Sequence, residues 1–339
     1  MVDLSCQRLL FAAVFAVGVV VSPFQNAKAD DPGFVASWSV EPSFDGKDKI
    51  RESISGAACA PVSPPACLVA LDEQRNTQFF AISGKTIVPG PVMRLLPKKE
   101  GGIKYKEIDA EGAAYADGYF YVMGSHGLSR KKAKFNPSSF FIFRFPVDPK
   151  TGEAIFKASS KTIAPEIERS DRLREAIKTA PGAVGAYAEK PLGEGVGGVT
   201  LEGLAVAGNR MYLGFRGPSV EGTAFIMDVD AGAVFSSGDL SANVTDIALG
   251  AGAGVRDLAA VSDGLLVLAG PVQKKGRYAI YHLSFQDQKL RKLLDLTMPN
   301  SGSKAETILL LAEQSDSYNV LVLYDGLLDG GPREYRLGR

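Results

Sequence analysis

The hydrophobic pattern of this chain alternates, or runs apolar for a few residues, and then breaks at glycine. Residues 109–126 set the theme: Asp-Ala-Glu-Gly-Ala-Ala-Tyr-Ala-Asp-Gly-Tyr-Phe-Tyr-Val-Met-Gly-Ser-His. A carboxylate and a glycine precede a strand of small residues, an Asp-Gly turn and an aromatic strand. Asp-Gly between two strand-like runs signals a hairpin, because both central positions of that turn favour positive φ. The pattern returns at 201–218 and 256–271, and in shorter form at 305–326. A disguised first copy starts at Glu52 and is interrupted between Cys59 and Cys67. Further strands follow these hairpins at 76–83, 139–146, 223–229 and 278–285, rich in aromatic and β-branched residues.

Only residues 163–179 change period. Pro165 near the start, acids early and a base late suit a short helix there. The glycine-rich stretch 193–198 lacks the Lys-Ser/Thr of a phosphate loop and reads as a connector.

The acids that open the copies are Glu52, Glu111, Glu202, Asp257 and Glu306, which lie 59, 91, 55 and 49 positions apart. A unit of about fifty residues made of short strands is the signature of a propeller blade. The expected fold class is therefore all-β: a β-propeller of five or six blades with a short helix-bearing insertion. That insertion, 151–199, sits between blades and accounts for the long spacing; residues 30–339 form a single domain. A sixth blade would lie within 89–105 or the insertion. Strand 34–41 would complete the last blade and close the ring without an exposed edge. A two-sheet sandwich is the competing fold, but it does not require the carboxylate-glycine start to recur.

Charge narrows the functional classes. Among 339 residues, 38 Lys and Arg balance 38 Asp and Glu. A nucleic-acid binder would show a basic excess, so nucleic acid is not an expected partner. At the N-terminus, Arg8, an apolar run over 9–21 and Ala27-Lys28-Ala29 resemble a signal peptide over 1–29, cleaved near Ala29-Asp30. Such a run is short for a bilayer span, a retained anchor being the alternative. The mature chain is then periplasmic or secreted, with no membrane span, and a monomer. In an oxidising compartment its two cysteines, Cys59 and Cys67, are most simply a disulfide closing a proline-rich loop.

In a propeller the first strand of each blade lines the central channel, and the second returns to the same face. The acids above should share a rim with Asp72-Glu73, Ser125-His126, Arg216, Gly270-Pro271 and Tyr324-Asp325, with Asp109, Arg210 and Arg256 nearby. The candidate ligand-binding set is Asp109, Glu111, Ser125, His126, Glu202, Arg216, Arg256 and Asp257. Converging carboxylates raise one another's pKa and attract a cation. Oxygen donors suit Ca²⁺ or Mg²⁺, with Glu111, Glu202 and Asp257 as the metal ligands. Alternatively the acids cap backbone N–H groups, or pair simply as Asp257 with Arg256 and Glu202 with Arg216. His126 is the candidate catalytic residue, as general base or anion contact; a solvated turn histidine is the plainer reading. The basic loop 130–134 could steer an anionic ligand.

At Asp109-Ala-Glu-Gly, Gly124-Ser125-His126, Leu201-Glu-Gly-Leu-Ala, Leu213-Gly-Phe-Arg-Gly-Pro, Val255-Arg-Asp-Leu and Leu268-Ala-Gly-Pro the chain resembles a bacterial family. That family is domain of unknown function 3616, and the resemblance covers about Glu52 to Arg339. It implies a propeller-like fold and brings no established activity. Through Asp109-Ala-Glu111-Gly there is a looser similarity to phytase-like esterase propellers. Three functions are therefore expected in order. The first is an exported propeller binding a small ligand, anion or divalent cation at an acidic channel mouth. The second is a metal-assisted phosphoesterase or related hydrolase with Arg216 and Arg256 as anion clamps, and the third an envelope interaction scaffold.

Overall fold

In the computed structural model, which describes residues 32–130, 132–193 and 195–339, each recurring hairpin is the inner half of an antiparallel sheet. Blade 1 consists of Ile54–Cys59, Ala66–Leu71, Asn76–Ser83 and Thr86–Arg94. Blade 2 has Ala110–Ala116, Tyr119–Gly124, Ile142–Pro146 and Glu168–Ser170. Blade 3 has Thr200–Ala207, Arg210–Gly217, Thr223–Asp230 and Asn243–Ala248. Blade 4 has Ala253–Val261, Gly264–Pro271, Tyr278–Ser284 and Leu290–Leu296. Blade 5 has Lys304–Glu313, Ser317–Asp325 and Arg333–Gly338, and its fourth strand is Phe34–Ser37 from the start of the described chain. Each innermost strand packs on the next, and the fifth returns to the first. The fold is a five-bladed β-propeller.

The N-terminal segment does more than complete blade 5. Ser39–Val40 continues into blade 1 and pairs in parallel with Thr86 and Ile87. One short stretch thus joins the last blade to the first. Trp38 sits between the two pairings: its amide donates to Pro332 O at 2.9 Å and its indole N–H to Glu334 at 3.0 Å. The expected signal segment, with Cys6, lies outside the described residues.

Strand chemistry follows from burial on both faces. Gly264–Pro271 is buried throughout, which is why it reads as an unbroken apolar run. Its successive side chains alternate between two cores. Leu266 and Leu268 pack towards blade 5, whereas Leu265, Val267 and Ala269 pack towards blade 3. Five such cores fill the five blade junctions. Each fully buried leucine or valine contributes about 1.5–3 kcal/mol relative to exposure.

Two expectations need correction. No sixth blade hides in 89–105: its first part is the fourth strand of blade 1, and the rest is a minimal hairpin, Lys99–Glu100 with Ile103–Lys104. Nor is the insertion wholly between blades, since Glu168–Ser170 is the outer strand of blade 2. The helix expected from Pro165 begins only at Leu173 and runs to Thr179, followed by a second, Gly182–Tyr187. Leu173, Ala176, Ile177 and Val184 from these helices cover the junction of blades 2 and 3. Among the described residues, no helix is long and apolar enough to cross a membrane.

Candidate functional site

Near the start of every innermost strand one residue is pushed out of register. Ala110 pairs with Gly124 and Gly112 with Met123, so Glu111 has no opposite number. The same bulge isolates Glu202, Arg256 and Glu306 in blades 3, 4 and 5, and Ser55 in blade 1. A bulge kinks its strand and re-aims a side chain, and here five bulges turn one residue per blade into a common layer. The structural equivalents are therefore Ser55, Glu111, Glu202, Arg256 and Glu306. Glu52 instead ends the short helix Asp48–Arg51, and Asp257 stands one position past its bulge.

The position after the bulge explains the recurring glycine. A Cβ on Gly112 would lie 2.7 Å from Leu204 Cβ, and one on Gly203 2.8 Å from Leu258 Cγ. On Gly56 it would meet Ala113 N at 2.8 Å. Neighbouring inner strands approach too closely there for a side chain directed at the next blade. Blade 4 places Asp257 at this position. Its carboxylate accepts the amides of Leu258 at 2.8 Å and Ile308 at 2.9 Å, tying blade 4 to blade 5. Burial pushes this carboxyl well above its ordinary value although the backbone donors pull the other way. Asp257 is thus a backbone tether, and the capping alternative describes it.

One half of the layer is a closed ion-pair network. Glu202 Oε1 receives Arg216 Nη1 at 2.7 Å, and Glu202 Oε2 lies 2.9 Å from Arg256 Nε. Arg256 Nη2 donates to Glu306, and Arg216 Nε donates to Val272 O at 2.9 Å. Arg256 is 1% exposed and Arg216 5%. Burial works against the Arg256 charge, but Glu202 and Glu306 hold its pKa above the ordinary value. Both arginines are buried and paired within the layer, and both oxygens of Glu202 face an arginine.

The other half holds acids without bases. Asp72, Asp109 and Glu111 each present a carboxylate oxygen within 4.8 Å of the others. All three are half-buried, and among the described residues none forms an ion pair with Lys or Arg. Burial, then the neighbouring Asp109, pushes Asp72 up to about 9. Burial raises Asp109, whose Oδ2 also receives the Ser125 hydroxyl. Burial and then Glu202 raise Glu111 well above its ordinary value. Asp109 adopts φ +57°, a left-handed conformation that acidic residues tolerate better than most. Asp72, at the end of the second strand of blade 1, belonged to the expected rim but not to the expected ligand set.

His126 departs most from expectation. It is 2% exposed rather than at the mouth, and its ring lies edge-on to Phe140. Nδ1 is 2.8 Å from Gly124 O, and Nε2 is buried without a hydrogen bond beside a small cavity under Ile177 and Lys178. Burial pushes its pKa down to about 4, so it is neutral at pH 7 and unsuited to shuttle protons for a channel ligand. Its neighbour Ser125 does reach the acidic cluster. Arg210 begins its strand at the opposite end of the blade and pairs with Asp228. In the basic loop, Arg130, Lys132 and Lys134 are exposed, while Lys131 lies outside the described residues. Cys59 and Cys67 form the expected disulfide, facing each other across their hairpin.

Comparisons with known proteins add a family and a loose fold likeness. No curated protein matches the chain. The crystal structure of Saccharomyces cerevisiae Sqt1 is similar with TM-score 0.37 and 9% identity, over 91% of this chain and 100% of that one. A crystal structure of a Lactobacillus plantarum protein is similar with TM-score 0.35 and 11% identity, over 84% and 70%. Neither likeness carries a functional argument. Residues 92–140 and 157–331 match the family described as "Protein of unknown function (DUF3616)". That span takes in Asp109, Glu111, Ser125 and the whole ion-pair network, while Asp72 and the disulfide precede it, and over it the chain belongs to the DUF3616 family.

Proposed function

We propose that this protein is an exported binding propeller that holds a divalent cation, Ca²⁺ or Mg²⁺, between Asp72, Asp109 and Glu111. The observation that carries this reading is the convergence of three carboxylates with no basic partner. Next to them, the two arginines already balance Glu202 and Glu306. Glu306 Oε2 is buried without a hydrogen bond, and its charge bears on Glu111. Gathering uncompensated carboxylates costs free energy that protons or a cation must offset. An all-oxygen donor set favours a hard cation over zinc. The disulfide is consistent with an oxidising compartment. The hydrolase reading is not pursued, because its arginine clamps and histidine are buried in other roles.

The cation and the proton compete. Asp72 keeps its proton in the folded chain up to about pH 9, whereas an unfolded aspartate ionises near pH 4. Between those limits the cation-free protein holds the extra proton, so its stability falls as pH rises. A bound cation displaces that proton, so its stabilising effect grows over the same range. Millimolar Ca²⁺ or Mg²⁺ is expected to raise the thermal midpoint by about 2–5 °C near pH 8 and by less near pH 5.5. Glu111→Gln and Asp72→Asn should abolish the shift while keeping the fold. A wild-type midpoint unmoved by either cation and by chelator, or an equal shift in Glu111→Gln, would refute the assignment.

A further inference from the structure

The channel continues past the charged layer and changes character. Two positions beyond the bulges the inner strands present Ala57, Ala113, Leu204, Leu258 and Ile308. From there towards the hairpin turns the five blades enclose a cavity of about 560 Å³. Every blade gives it at least one alanine, such as Ala205, Ala259 and Ala312, so the space is left open where larger residues would fill it. Its mouth is framed by Trp38, Pro61, Pro65 and the exposed Ala312, beside the Cys59–Cys67 bridge. The volume lies within the range of small-molecule sites, which are mostly apolar with a few placed polar groups.

The polar groups define the ligand chemistry. Among the described residues the lining contains no Lys, Arg or His, and the nearby Lys85 and Arg339 are paired with Glu334 and Glu313. Glu334 already accepts the Trp38 indole N–H at 3.0 Å, and Glu313 accepts the Ser262 amide at 2.9 Å. Asn319 is different: its Oδ1 is buried in the wall and accepts no hydrogen bond. A buried acceptor without a donor is costly, and a ligand that supplies the donor removes that cost.

We infer that this cavity binds an uncharged aliphatic molecule with a single hydrogen-bond donor, of the medium-chain alcohol class. The chain fills the alanine-lined channel and the hydroxyl donates to Asn319 Oδ1. The site is distinct from the acidic cluster: Asp72, Asp109 and Glu111 do not line it. A carboxylate of equal length is disfavoured, because the lining offers no Lys, Arg or His to pair with it and its two acids already hold their own bases outside the lining.

Calorimetric titration of the whole mature protein with 1-decanol, decanoate and 1-methoxydecane tests this. Decanol should bind saturably at one site, decanoate should not, and the ether, lacking the donor, should bind about five-fold more weakly. Asn319→Leu should erase the alcohol–ether difference, and Ala259→Phe should weaken decanol at least ten-fold. Should Ala259→Phe fail to fold, Ala312→Trp at the exposed mouth serves the same purpose. Glu111→Gln should leave decanol binding unchanged while removing the cation effect, which separates failure of one site from failure of the other. No saturable binding to wild type, equal binding of alcohol and ether, or undiminished binding in a folded cavity-filled variant would overturn the inference.

Discussion

Arg256 is the residue on which the charged layer turns. It sits between Glu202 and Glu306 at 1% exposure, so its removal strands the buried Glu306 and leaves Glu202 with Arg216 alone. Breaking a buried pair by deleting one partner typically costs about 3–5 kcal/mol, most of it from the charge left behind. Arg256→Met should therefore lower the urea midpoint by that equivalent. Adding Glu306→Gln should recover much of the loss, because the carboxylate left without a base is then gone while Glu202 keeps Arg216. If the single variant unfolds at the wild-type midpoint, the network is not a structural clamp. At this scale the sequence pointed to the right group of charged residues and to the Glu202–Arg216 pair, but not to the partners of Arg256. Which of Arg256 and Asp257 occupies the layer depends on a one-residue bulge, and bulges leave no mark in the alternation of apolar and polar positions. His126 was misplaced for a related reason. A histidine after Gly-Ser at a strand end looks solvated until helices from the insertion cover it.

Among the elements, the inner strands were legible because glycine and carboxylate recur where strands converge. The outer strand of blade 2 was not. Glu168–Ser170 is three residues long and mostly exposed, so it carries no apolar signature, and its acids and bases imitated the first turn of a helix. The glycine of the repeat is a matter of space between elements rather than of turn geometry. Gly112→Ala would set a methyl 2.7 Å from Leu204 Cβ, against the adjacent strand of blade 3. Overpacking of this kind costs about 1–3 kcal/mol. Gly338→Ala, with nothing within 4 Å of the added carbon, is the matched control and should be near neutral. Equal midpoints for the two variants in chemical unfolding would show that the junction has slack.

For the whole molecule, closure is the decisive feature, and it was visible in outline. Strand 34–41 was expected to complete the last blade; the structure divides it, giving Phe34–Ser37 to blade 5 and Ser39–Val40 to blade 1. The division is small in sequence but changes what the segment does, because it now resists separation of the two blades directly. Without it, Arg333–Gly338 would present an unpaired edge, and such edges invite pairing with other chains. The junction core of blades 5 and 1 would also lose Trp38 and Val40. A variant lacking residues 32–41 should therefore unfold at lower temperature and self-associate on size-exclusion chromatography. A peptide of sequence Phe34 to Glu41 added in trans should restore the parent elution volume and midpoint together. The same deletion removes one side of the apolar channel mouth but leaves Asp72, Asp109 and Glu111 in place. Any cation-induced shift should then persist at a lower baseline, provided the peptide is present. A truncated chain that elutes as the parent does and keeps its midpoint would mean that the five blades hold their ring through the junction cores alone.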